Sequence, residues 1–266
     1  MPYRVDLHLV ADDALDRLVE LGALDAECSD QGVISALMPD SVAPEQVAGA
    51  LGIDVDDISV SPAMGRDDGS VWVLSPRPIR IGRLTIVPAH TEAKPGTLRL
   101  IDAAAFGTGL HPTTALCLEV LDEEVQIATP EAVLDVGTGS GVLALAALML
   151  GVPRALAIDI DDEALRVATD NAGLNAIEER LQLIRGGPEA VTGTWPLVLA
   201  NVLPAPLIEM APALVRRVGH HGQVVLSGIP SSAEREVDQA YGRLGMRRVR
   251  AKSRAGWVAI VLRASW

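Results

Sequence analysis

The nine residues Val133-Leu134-Asp135-Val136-Gly137-Thr138-Gly139-Ser140-Gly141 restrict this chain more than any other stretch. An apolar run leads in. An alanine-rich apolar run, Val142 to Gly151, leads out. The pattern is that of a buried strand, a tight glycine turn and a helix. Glycine suits the turn because it lacks a Cβ and tolerates positive φ. A helix N-terminus behind a strand end offers N–H groups to a ligand. A second apolar run, Ala155-Leu156-Ala157-Ile158, ends at Asp159, 22 residues after Gly137. A glycine turn followed at that distance by an acid at a strand end points to a ribose-binding site.

The dinucleotide fingerprint requires G-x-G-x-x-G, and its third glycine would fall at Val142. The pattern here is G-x-G-x-G, which weakens a pyrophosphate reading. It resembles the first motif of S-adenosylmethionine-dependent methyltransferases, whose cofactor has a ribose but no phosphate.

The 266 residues suit one large or two modest domains, and 49% apolar content is ample for a core. No apolar run reaches the ~18–20 residues of a membrane span. The first residues lack the basic-then-apolar layout of a signal peptide. Cys28 and Cys117 have no metal-ligand spacing, so each reads as a small buried apolar residue in a reducing cytoplasm. The charge is uneven. Residues 1–60 hold 13 acidic side chains and 2 arginines, a net of −11 out of −13 for the chain. Such a segment repels a phosphate backbone and attracts a basic protein partner. A solvated acidic face is the plainer alternative.

Along the chain, residues 3–10 read as a strand, 12–22 as a helix, and 24–29 and 32–38 as strands. Pro44 to Leu51 reads as a helix capped by Ser41, and Ile53 to Val60 as a strand. The order β-α-β-β-α-β suits a small ferredoxin-like domain over residues 1–62. Residues 63–100 are broken repeatedly by Gly and Pro and by the Asp67-Asp68-Gly69 turn and read as a linker, with strand-like pieces at Val71–Leu74 and at Ile79–Val87 around Gly82. Residues 101–266 form the third part. After the glycine turn, helices and apolar strands alternate: strands at Leu181–Ile184, Leu197–Leu203 and Gln223–Leu226, then Met246–Ala251 and Trp257–Leu262 as a hairpin. Helices fill the gaps near 162–173, with Asp161 or Asp162 as cap, 206–218 and 232–244. Five parallel strands and a terminal hairpin make a seven-stranded doubly wound α/β sheet. The right-handed crossover rule brings the strand ends before Gly137, at Asp159 and at the end of Leu197–Leu203 to one edge.

Two further stretches carry chemistry. Ala105-Phe106-Gly107-Thr108-Gly109-Leu110-His111-Pro112-Thr113-Thr114 has two glycines flanking a threonine, a loop whose backbone can approach a ligand. Read locally, Thr113 or Thr114 is a helix N-cap. Asn201 interrupts an apolar strand end. It either terminates the strand or offers an amide that orients an attacking amine or the cofactor.

With these pieces placed, the chain resembles the bacterial ribosomal protein L11 methyltransferase family. The resemblance rests on AFGTGLHPTT at Ala105–Thr114, LDVGTGSGVLALAA at Leu134–Ala147, IDID at Ile158–Asp161, DNAGLN at Asp170–Asn175, LANVLPAPL at Leu199–Leu207 and LSGI at Leu226–Ile229. It runs from about residue 79 to the end. The segment before AFGTG lacks the family's Pro-Gly.

The resemblance implies a ferredoxin-like domain that docks a basic ribosomal protein, a linker, and a catalytic domain that methylates lysine side chains or an N-terminal amine. It implies S-adenosylmethionine as cofactor. No cysteine or carboxylate stands at ligand spacing to His111, so no metal is expected. By motif position, Thr114, Gly137, Asp159 and Asn201 match cofactor-contacting residues. Phe106 and Thr108 fall in the loop over the methionine end.

The mechanism expected is in-line attack of a neutral amine on a sulfonium methyl. Asp159 takes the ribose hydroxyls. Gly137, Gly139 and Gly141 allow backbone approach, Thr114 and the 106–109 loop hold the methionine end, and Asn201 aims the amine lone pair. The alternatives are another protein or small-molecule amine as substrate, or a cofactor-binding module without turnover. Direct nucleic-acid or membrane binding is not expected.

Overall fold

The computed structural model describes residues 2–8, 13–28, 33–63, 78–92, 94–101, 112–254 and 256–266. The strand expected at Val71–Leu74 and the loop residues Phe106, Thr108 and His111 lie outside them, as do the side chains of His8, Glu27 and Cys28. The chain divides into two compact units, Met1–Pro76 and Arg77–Trp266.

In the first unit β1 (Tyr3–His8), α1 (Ala14–Glu20), β2 (Asp25–Cys28), β3 (Val33–Met38), α2 (Pro44–Leu51) and β4 (Ile58–Pro62) follow in the expected order. The sheet is antiparallel, ordered β2-β3-β1-β4. That is the ferredoxin-like arrangement. Val5, Leu7, Ile34, Ala36 and Met38 alternate inward and meet Ala14, Leu18, Val47 and Leu51 of the two helices. The cap of α2 differs from the expectation at Ser41. Ala43 is the N-cap, and its N–H donates to Gln46 Oε1 at 2.8 Å, so the helix closes its first turn from within. Asp54, Asp56 and Asp57 are exposed.

The second unit opens with β5 (Ile79–Ile81), β6 (Leu84–Pro88) and β7 (Thr97–Leu100) in a three-stranded sheet. The pair around Gly82 matches the sequence pattern. β7 does not; it is four residues long and pairs in parallel with β6. Then come α3 (Pro112–Ile127), β8 (Val133–Val136), α4 (Val142–Met149), β9 (Ala155–Asp159), α5 (Asp162–Leu174), β10 (Leu181–Arg185), β11 (Trp195–Asn201), α6 (Pro204–Val215), β12 (Val218–Pro230), α7 (Glu234–Gly242), β13 (Met246–Arg254) and β14 (Trp257–Ala264).

The large sheet has the order β10-β9-β8-β11-β12-β14-β13. β10 to β12 are parallel neighbours, and β14 and β13 run antiparallel. Its strands are apolar on both sides because helices cover both faces. Val133, Leu197 and Val225 face α3 and α4, whereas Leu134, Val198 and Val224 face α6 and α7. Strand order reverses between β8 and β11, the position at which such sheets open a ligand crevice.

Two buried carboxylates organise this unit. Asp122 of α3, 3% exposed, receives the β5–β6 turn: Arg83 Nε donates at 2.7 Å and the Arg83 N–H at 3.2 Å, while Gln126 Nε2 donates at 2.9 Å. Gly82 has φ +57°, and a Cβ there would clash with the Asp122 carboxylate. Asp135 of β8 is fully buried. Its Oδ2 accepts from Thr138 Oγ1 at 2.6 Å and from the Ala144 N–H at 3.2 Å, which gives α4 a capping acceptor that its own N-cap, Gly141, cannot supply. Oδ1 has no hydrogen-bond partner among the described residues. Desolvation raises the Asp135 pKa to about 6, against the two bonds that lower it. On the far side, Glu119, Glu123 and Glu124 of α3 pair with Arg250, Lys252 and Arg254 of β13, charges that also blunt the sheet edge.

Gly82→Ala should cost about 1–3 kcal/mol, because both the backbone angle and the Asp122 contact oppose it; a thermal unfolding midpoint equal to wild type would contradict this. For Asp135 the folded pKa lies above the unfolded one. The native state therefore binds the proton more tightly, and stability falls as pH rises from about 4 to about 6. The loss is about 3 kcal/mol. Urea unfolding across that window should show the decline in wild type and a flatter profile in Asp135→Asn.

Candidate functional site

β8, β9 and β11 end side by side, and their last residues face one cleft of about 580 Å³. Its described lining includes Gly137, Thr138 and Gly139 of the glycine turn, Asp159 at the end of β9 with Ile160 after it, and Gly186 to Pro188 after β10. Asn201 at the end of β11 with Val202 and Leu203 after it, Thr113 of α3, Met210 of α6 and Trp257 of β14 complete much of the wall. Of the expected site residues, Gly137, Gly139, Asp159 and Asn201 line it. Gly141 and Thr114 stand behind it. Phe106 and Thr108 lie outside the described residues.

The turn folds because three of its five residues are glycines at positive φ: +71° at Gly137, +55° at Gly139 and +83° at Gly141. A Cβ on Gly137 would meet Val202 Cγ1 at 2.6 Å. A Cβ on Gly141 would meet Ala168 of α5 at 3.0 Å. Close helix packing is thus secured at Gly141, one residue before the third position of the dinucleotide fingerprint.

The turn's N–H groups are less free than the sequence suggests. Those of Gly137 and Thr138 donate to the Ile158 carbonyl at 2.9 and 3.0 Å, and that of Gly141 to the Thr138 carbonyl. The Gly139 N–H donates to Asp159 Oδ2 at 2.9 Å. Asp159 Oδ1 accepts from the Asp161 N–H at 3.1 Å, and Asp161 caps α5 as expected. Among the described residues of the lining, Asp159 is the one charged group. Committed amides, a carboxylate and no cation make a poor phosphate cradle. They suit a ribose diol and a positively charged ligand.

At the other wall, Asn201 is 9% exposed and its Nδ2 donates to Thr114 Oγ1 at 3.1 Å. Its Oδ1 is buried without a partner among the described residues. An unpaired buried acceptor costs roughly 1–3 kcal/mol, which marks a position awaiting a donor. Thr114 is not an N-cap. α3 begins at Pro112, so Thr114 sits inside the first turn, fully buried, where its hydroxyl fixes the Asn201 amide. Ser227 Oγ, opposite Asn201 in the β11–β12 register, donates to the Thr113 carbonyl at 2.9 Å and anchors the same turn. Sequence reading passed over Ser227, Asp135 and Thr138. A lone charge inside an apolar strand was the available signal for Asp135; the other two have none at the level of spacing.

Residues 63–265 match the family model described as Ribosomal protein L11 methyltransferase. A protein of that name from Pelobacter propionicus is 39% identical over 221 residues, 80% of this chain and 71% of the relative. One from Geobacter sulfurreducens is 39% identical over 191 residues, and the match spans 62% of that relative's length. The crystal structure of ribosomal protein L11 methylase from Lactobacillus delbrueckii subsp. bulgaricus superposes with a TM-score of 0.65 at 32% identity, covering 70% of this chain and 98% of that one. With this breadth of match, and with the site's residues at one sheet edge, the chain belongs to the ribosomal protein L11 methyltransferase family.

Proposed function

We propose that this chain transfers methyl groups from S-adenosylmethionine to amino groups of ribosomal protein L11. The observation that carries the reading is the Asn201 amide, fixed by Thr114 on one side and unpaired at Oδ1 on the other, in the wall of a cleft whose one charged lining group among the described residues is an acid. The residues fit the cofactor. Asp159 stands at a strand end where it can accept two hydroxyls, and the turn has no room for a side chain at Gly137 or Gly141. The absence of a cation in the described lining suits a ligand without phosphate.

The cofactor supplies an electrophilic methyl carbon on a sulfonium. The chain's own residues bind and orient. Asp159 holds the ribose by its carboxylate oxygens. Gly137 and Gly139 bring backbone against the ligand, and Gly141 lets α5 close behind them. Thr114 orients Asn201, and Asn201 Oδ1 accepts a hydrogen from the substrate nitrogen, which aims the lone pair. Val136, Val142 and Leu143 keep that wall apolar, and an apolar wall favours the uncharged amine that must react. Phe106 and Thr108 are assigned to the methionine end by their motif alone. Little covalent chemistry falls to the protein, so orientation supplies much of the rate.

The substrate side rests on charge. A net of −11 in residues 1–60 attracts a basic protein and disfavours direct contact with nucleic acid. Residues 1–62 are assigned to docking and 101–266 to catalysis; of the stretch read as a linker, residues 79–100 carry β5–β7 of the second unit. No described helix is long and apolar enough to cross a membrane, and a ribosomal substrate goes with a cytoplasmic site of action.

Purified chain incubated with S-adenosylmethionine and L11 should add multiples of a methyl mass to L11 lysines or its N-terminus, read by mass spectrometry. Asn201→Ala should lower the turnover rate about 100-fold. Undiminished transfer in that variant would remove the aiming role from Asn201. Labelling of other amines but not of L11 would overturn the substrate.

A further inference from the structure

Asn171 has no exposed surface and is absent from the cleft lining, yet both ends of its amide reach residues distant in sequence. Nδ2 donates to the Ser140 carbonyl, 31 positions away, at 2.8 Å. Oδ1 accepts from the Ile101 N–H, 70 positions away, at 2.7 Å. Ser140 lies inside the glycine turn. Before it is Gly139, which lines the cleft and donates to Asp159; after it is Gly141, packed on Ala168 of the same helix. Ile101 follows β7 directly.

One helical turn further along α5, Asn175 grips the same strand exit. Its Oδ1 accepts from the Arg99 N–H at 2.9 Å, and its Nδ2 donates to the Arg99 carbonyl at 2.7 Å. Asn171 and Asn175, the residue that caps α5, therefore both hold the end of β7, and of this pair Asn171 is the one that also holds the turn.

A turn with three glycines has many backbone paths open to it, and a glycine loses more conformational freedom on ordering than any other residue. Bonds from outside must select the path. Asp135 fixes Thr138 and Asp159 fixes Gly139. The carbonyl of Ser140, buried with its residue, needs a donor, and Asn171 supplies it from α5.

We propose that Asn171 is a positioning residue for the cofactor, joining the glycine turn to the exit of β7 so that Gly139 and Asp159 are presented in register. It acts through Ser140 and touches no ligand itself. The role rests on the reading of the cleft as an S-adenosylmethionine site.

Calorimetric titration with S-adenosylhomocysteine tests it on the full chain, with wild type, Asn171→Leu, Asn171→Asp and Asn175→Ala compared at one pH. Asn171→Leu removes both bonds. Asn171→Asp keeps the acceptor for Ile101 and replaces the donor to Ser140. Both should bind roughly tenfold more weakly, the ratio that about 1.4 kcal/mol gives. Turnover at saturating S-adenosylmethionine should stay within about twofold of wild type, the split expected when binding and not the chemical step is affected. Asn175→Ala should bind as wild type does.

Wild-type affinity in both Asn171 variants would overturn the proposal. So would equal weakening in Asn175→Ala, because the anchoring of β7 would then account for the effect. Should Asn171→Leu fail to fold, Asn171→Asp and Asn175→Ala decide the matter alone. A wild-type chain that binds no S-adenosylhomocysteine would overturn the reading of the cleft, a result distinct from any difference among the variants.

Discussion

The path of five backbone residues, Gly137 to Gly141, sets the position of nearly everything else in the site. Three left-handed glycines cannot hold a path by their own preferences, so the surroundings impose it. From behind, Asp135 holds Thr138 and the first turn of α4. From β9, the Ile158 carbonyl and Asp159 take successive N–H groups. From α5, Asn171 donates to Ser140. One of these anchors carries an electrostatic cost. Asp135 stays in an apolar layer with one oxygen unpaired among the described residues, and its pKa rises to about 6 as a consequence.

The second organising piece is α3. Its first turn carries Thr113 and Thr114, tied to β12 by Ser227 and to β11 by Asn201. Two turns further along, Asp122 receives the β5–β6 turn, and three glutamates bind β13. One sixteen-residue helix thus links the small three-stranded sheet, the sheet edge and the Asn201 amide. The Asn201 amide is therefore held by a hydrogen bond to a buried residue of α3.

Much of this was legible in the sequence, and the reason is periodicity. Continuous apolar runs mark the doubly covered parallel strands, alternation marks β1, and the alternation of helices with strands marks the α/β class. The glycine turn, Asp159 and Asn201 were legible because each is a polar or small residue where an apolar strand ends. Other features depend on partners far along the chain. β7 has four residues and exists by pairing with β6. Thr114 reads locally as a cap, and only the start of α3 at Pro112 makes it a buried partner of Asn201. Ser41 looked like the cap of α2 because serine prefers that position. The chain instead starts the helix from Ala43 with Gln46 reaching back. Asn171 stands in the DNAGLN stretch, and nothing in its spacing reveals Ile101 and Ser140.

The bonds that hold the Gly137–Gly141 turn shape it before any ligand arrives. A crystal structure of this chain with S-adenosylhomocysteine tests this. The ribose hydroxyls should lie on Asp159, and the Gly137–Gly141 backbone should move by no more than about 1 Å, as in pre-organised sites. A turn rebuilt around the ligand, or a ribose held away from Asp159, would contradict it.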